Sequence, residues 1–60
     1  MGKPLILALD EDPVSNAAMT QWLEKEGYVV ARAFDGREGL ERARSLRPDC
    51  IVMDPRLPDM

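Results

Sequence analysis

The chain has 60 residues, of which 11 are acidic and 8 basic with no histidine, giving a formal net charge of −3 with the two signs mixed along its length. That balance argues against nucleic acid or a membrane surface as a direct partner, and the missing histidine excludes histidine-based acid–base chemistry and histidine metal sites. A lone cysteine, Cys50, cannot close an internal disulfide, which fits a reducing, cytoplasmic setting, and its apolar surroundings mark it as a small core hydrophobe rather than a nucleophile.

The start Met1-Gly2-Lys3-Pro4 leads into an apolar run of five residues, too short for a signal peptide or a spanning helix. A compact fold of this mass buries roughly 5,800 Å² relative to an extended chain. If about 60% of that is apolar, burial contributes roughly 87 kcal/mol, against roughly 90 kcal/mol of ordering entropy. The two cancel, so an isolated domain of this length is expected to be marginal.

Leu5 to Leu9 is continuously apolar and ends in Asp10-Glu11-Asp12, the pattern of a strand covered on both faces. Asp12-Pro13 predicts a helix start, because Asp12 can cap free N–H groups and Pro13 needs no donor at the first position. Val14, Ala18, Met19, Trp22 and Leu23 then recur at helical spacing and are expected to face the core, with Ser15, Asn16, Thr20 and Glu24 on other faces. Gly27 is placed to end the helix in a left-handed cap.

Tyr28 to Ala33 reads as a second strand, nearer a sheet edge. Asp35-Gly36 begins a second helix carried by Leu40, Ala43 and Leu46, with Glu38 and Arg42 spaced as a surface ion pair. Pro48 breaks it, and Cys50 to Met53 is a third strand that closes on Asp54, with Pro55 and Pro58 beyond. Strand, helix, strand, helix, strand with right-handed crossovers makes an α/β half-domain on a parallel sheet.

Asp10, Glu11 and Asp12 follow the first strand and Asp54 follows the third. In a doubly wound sheet those strand ends share the crevice where ligands bind. Carboxylates gathered there repel unless a cation lies between them, and hard oxygen ligands suit magnesium. Asp12 reads better as the helix cap, leaving Asp10, Glu11 and Asp54 as the site. A carboxylate beside a divalent cation can also attack a phosphoryl group, and Asp54 is the candidate nucleophile. No glycine-rich phosphate loop competes with this: the four glycines read as turn and cap residues. Ser15, Thr20 and Ser45 fall in helices without a base partner and are expected at the surface, while Trp22 and the methionines are expected in the core.

Four stretches, Leu5-Ile6-Leu7-Ala8-Leu9-Asp10-Glu11-Asp12-Pro13, Gly27-Tyr28-Val29-Val30, Ala33-Phe34-Asp35-Gly36-Arg37-Glu38-Gly39-Leu40 and Pro48-Asp49-Cys50-Ile51-Val52-Met53-Asp54-Pro55-Arg56-Leu57-Pro58, together resemble the receiver domain of bacterial two-component response regulators. The resemblance implies a flavodoxin-like doubly wound parallel sheet, of which residues 1–60 are the N-terminal half. It implies that Asp54 is the phosphoacceptor, fed by a histidine kinase or a histidine phosphotransfer protein. Asp10 and Glu11 are similar to the acidic pair that holds Mg2+, with Asp54 and the backbone carbonyl of Arg56 completing the metal site. The chain would then be a signalling domain that phosphorylates itself rather than an enzyme turning over a metabolite.

Glu11 stands where the family more often has Asp, and Pro55 stands where it more often has a large apolar residue. The family's switch hydroxyl and its phosphate-contacting lysine come from a later half, and neither Lys3 nor Lys25 is at that position. A truncated sheet would leave the third strand with an open edge, so the alternative expectation is an interaction module that completes its sheet against another chain or a second copy.

Overall fold

A computed structural model describes residues 2–53. The residues from Asp54 onward, including Pro55, Arg56 and Pro58, lie outside them.

The elements are β1 (Leu5–Leu9), α1 (Pro13–Lys25), β2 (Val29–Ala33), α2 (Gly36–Leu46) and β3 (Cys50–Met53). The strands form one parallel sheet in the order β2-β1-β3. Leu5 to Leu9 pair with Val29 to Ala33 on one side, and Ile6 to Leu9 pair with Cys50 to Met53 on the other. Because β1 is central, the step to β2 and the return to β3 run in opposite directions. Right-handed crossovers therefore place the two helices on opposite faces.

Local chemistry sets the boundaries. Asp12 is the N-cap of α1: its Oδ1 accepts from the Val14 N–H at 3.1 Å, its Oδ2 accepts from the Ser15 hydroxyl at 3.0 Å, and Pro13 follows at the first turn. At the other end Gly27 has φ 98°, and two bonds satisfy the last carbonyls: Gly27 N–H to Glu24 O at 3.0 Å and Tyr28 N–H to Leu23 O at 3.1 Å. This is the Schellman arrangement that a left-handed residue permits. Asp35 caps α2 by accepting from the Glu38 N–H at 2.7 Å, and Glu38 reaches back to accept from the Phe34 N–H at 2.8 Å. That bond uses the Glu38 carboxylate expected to pair with Arg42. The described ion pair on α2 is instead Arg37 to Glu41 at 3.8 Å, both well exposed. Arg47, not glycine, closes α2 in the left-handed region with φ 50°.

The core lies around β1. Leu7, Leu9 and Ala33 form its buried cluster on the α2 side, with Ala31 and Ala43 packed against them. Gly39 lies within α2 rather than at a turn, because a Cβ there would come within 2.8 Å of Leu9 Cδ2. Its missing side chain lets the helix approach the sheet.

Expectations about the inner face of α1 and about β3 are corrected. Helix α1 turns Asn16, Thr20 and Leu23 to the sheet, so Asn16 and Thr20 are buried. Val14 and Trp22, 76% and 63% exposed, lie on the outer side, and Met19 is half-buried. The i, i+4, i+7 spacing of Asn16, Thr20 and Leu23 is as helical as the apolar set, and backbone carbonyls at the strand ends supply partners for the polar pair. Cys50 is exposed, and Ile51 and Met53 are 44% and 46% exposed, because β3 is paired on one side only among the described residues. No helix among the described residues is long and apolar enough to cross a membrane.

Candidate functional site at the strand ends

At the carboxyl end of β1 the Asp10 N–H donates to the Ala33 carbonyl at 3.1 Å, carrying the β1–β2 ladder one residue past its last pair. Asp10 is 7% exposed, and its Oδ1 accepts from the Asp12 N–H at 3.0 Å. This side-chain turn bends the chain sharply from strand into helix. Glu11, between the two, is exposed. The three consecutive acids thus divide: Asp12 is consumed as a cap, Asp10 is held at the strand end, and Glu11 projects at the surface.

Asn16 is the polar group that binds this corner together. Its Nδ2 donates to the Asp10 carbonyl at 3.1 Å and to the Ala33 carbonyl at 2.9 Å. Its Oδ1 accepts from Arg32 Nε at 2.8 Å and from the Thr20 hydroxyl at 3.4 Å. The Arg32 guanidinium lies 5.2 Å from the Phe34 ring centroid, a cation–π distance. No buried side-chain polar atom among the described residues lacks a partner. Apolar periodicity gave no hint of Asn16 or Arg32. The signal that finds them is the need of two strand-end carbonyls for donors.

The third strand reaches the same end of the sheet. Its register with β1 closes with Leu9 beside Met53, the residues that precede Asp10 and Asp54 in sequence. Asp54 and Arg56 themselves lie outside the described residues, and among those described no cluster of three or more acids and cysteines stands at metal-binding distance. The donor chemistry of Asp10 and Glu11 nevertheless fits a hard cation. The Asp10 carboxylate is engaged by one backbone N–H, and the Glu11 carboxylate is exposed.

On the α2 face, Leu9, Gly39, Leu40, Ala43, Ile51 and Met53 line an open apolar groove of about 560 Å³. Leu40, expected to carry α2 onto the sheet, stands on its wall and is half exposed.

Comparison with known proteins agrees with this geometry. The chain is 41% identical over 58 residues to hybrid signal transduction histidine kinase D of Dictyostelium discoideum, covering 97% of this chain and 4% of that protein. It is 40% identical over 55 residues to the transcriptional regulatory protein PrrA of Mycobacterium tuberculosis, covering 92% of this chain and 24% of that protein. The solved structure of the chemotaxis response regulator CheY4 of Vibrio cholerae superposes with a TM-score of 0.90 at 34% identity, over 97% of this chain and 48% of that one. The chain therefore spans less than half the length of each, and its sheet and helices match part of a flavodoxin-like receiver fold. The response regulator receiver domain model matches residues 6–60, and with the strand order, the acidic strand end and these relatives it shows that the chain belongs to the response regulator receiver domain family of two-component signalling.

Proposed function

We propose that this chain is a phosphoacceptor module of a phosphorelay, with Asp54 taking a phosphoryl group from a phosphohistidine on a histidine kinase or histidine phosphotransfer protein. In this reading residues 1–60 are the N-terminal half of the domain and work in a bacterial cytoplasm. The observation that supports it best is the β1–β3 register, which ends on the residues preceding Asp10 and Asp54. Asp10, Glu11, Asp54 and the Arg56 carbonyl would hold Mg2+, which when bound neutralises charge on the attacking carboxylate and the transferred group.

The chain's own part is positioning and charge. An Asp54 carboxylate oxygen attacks phosphorus in line with the bond to the imidazole nitrogen. The O–P bond forms as the N–P bond breaks, and the nitrogen leaves with the electron pair and takes a proton. Asp10, held by the Asp12 N–H and little exposed, would act through the cation, as a preplaced oxygen ligand that need not reorganise during the transfer. Incubation with acetyl phosphate and Mg2+ followed by intact-mass measurement tests the reading. The expected result is a mass increase of one phosphoryl group that disappears in Asp54→Asn. Labelling that persists in Asp54→Asn contradicts it.

A second reading is favoured by the exposure of Ile51 and Met53 on a strand that, among the described residues, is paired on one side. Here the chain is a non-catalytic module whose β3 edge self-associates or pairs with another chain. Sedimentation at dilute concentration separates the two: a folded monomer removes this second reading.

A further inference from the structure

We infer that Asn16, oriented by Arg32, is the positioning residue of the acidic loop, fixing the peptide group between Asp10 and Glu11 and so the direction in which both carboxylates meet a divalent cation. This rests on the reading of Asp10 and Glu11 as a cation site. Asn16 is 0% exposed as the fourth residue of α1, past its cap, a place where leucine or alanine would form helix better and desolvate at less cost. Its amide uses both donors and both lone pairs. The donors reach the Asp10 and Ala33 carbonyls, and the acceptor takes Arg32 Nε and the Thr20 hydroxyl.

The orientation of that amide is forced. Arginine only donates and a backbone carbonyl only accepts, so turning the amide over would set its NH2 against Arg32 and its oxygen against both carbonyls. Arg32 is itself half-buried on β2 with its guanidinium against Phe34, which limits its freedom to release Asn16. Because the peptide unit is planar, holding the Asp10 carbonyl oxygen also fixes the plane that contains the Glu11 nitrogen and Cα, the atoms from which the Glu11 side chain departs. The Asp12 N–H bond to the Asp10 carboxylate then fixes the same turn from its other side. A merely space-filling residue at position 16 would supply neither donor.

The test is a Mg2+ titration of the full chain, followed by the backbone amide shift of Glu11, with far-ultraviolet circular dichroism confirming that each variant is folded. Asn16→Ala and Arg32→Met are expected to weaken Mg2+ binding by about 10–100-fold, the usual effect of removing a group that orients a metal ligand. Leu23→Val, on the same buried face but outside the hydrogen-bond network, is expected to keep the wild-type affinity. Asp10→Asn separates the two levels of the argument. If it abolishes binding while Asn16→Ala and Arg32→Met bind like wild type, the positioning role is overturned and the cation site stands. If Asp10→Asn binds like wild type, the site and the positioning role both fall. Equal weakening by Leu23→Val also overturns the role, since any disturbance of the face would then suffice. Should Asn16→Ala not fold, Arg32→Met decides, and unchanged affinity in it is the contrary result.

Discussion

Strands β1 and β3 have closely similar apolar sequences, Leu-Ile-Leu-Ala-Leu and Cys-Ile-Val-Met, and they pair with each other. Yet Ile6 through Leu9 are all buried, whereas Cys50, Ile51 and Met53 are exposed. The difference lies in their neighbours. β1 has a strand on each side and a helix on each face, while among the described residues β3 has one paired side, and they leave the groove between it and α2 open. An apolar run therefore identifies a strand that has something to bury, and only topology says whether it is buried. The same contrast separates the two ends of the proposed crevice: Asp10 is hydrogen-bonded to Ala33 of β2, Asn16 of α1 and the Asp12 N–H, while β3 contributes its register with β1.

Substitutions can break or sharpen this comparison. Leu7→Ala, at the fully buried centre of β1, is expected to cost about 2–5 kcal/mol in urea unfolding, enough to unfold a marginal domain. Ile51→Ala, its apolar counterpart on β3, is expected to cost less than half as much; equal losses would show that β3 is covered after all. Gly39→Val forces a side chain against Leu9 and is expected to lose about 1–3 kcal/mol, read as a lower unfolding midpoint. Asp35→Ala removes the α2 cap and is expected to cost about 1 kcal/mol, with faster amide exchange confined to the first turn. Smallest is Trp22→Ala, on the outer side of α1, expected to change stability by about 0.5 kcal/mol or less by thermal unfolding.

The sequence revealed the order of elements because its punctuation is chemical: Asp12-Pro13, Gly27, Asp35-Gly36 and Pro48 each constrain the backbone in a way few alternatives satisfy. The edge position of β2 was legible from its mixed composition. The inner face of α1 was not, because two helical periodicities overlap there, and the apolar set of Val14, Ala18 and Trp22 lost to Asn16 and Thr20. Hydrogen bonds to strand-end carbonyls decide that contest, and they depend on β2 lying beside β1. The acids at the end of β1 were legible as a group, as was the role of Asp12 as a cap. How firmly Asp10 is held, and by what, needed the fold, since Asn16 and Arg32 are distant in sequence and carry no motif.

The most direct test of the account is whether the ends of β1 and β3 share one cation. Mg2+ titrations of the wild-type chain, Asp10→Asn and Asp54→Asn answer it by calorimetry. The account predicts saturable binding in the wild type that is lost in both variants. Binding that survives Asp54→Asn with wild-type affinity would contradict a crevice shared by the two strands.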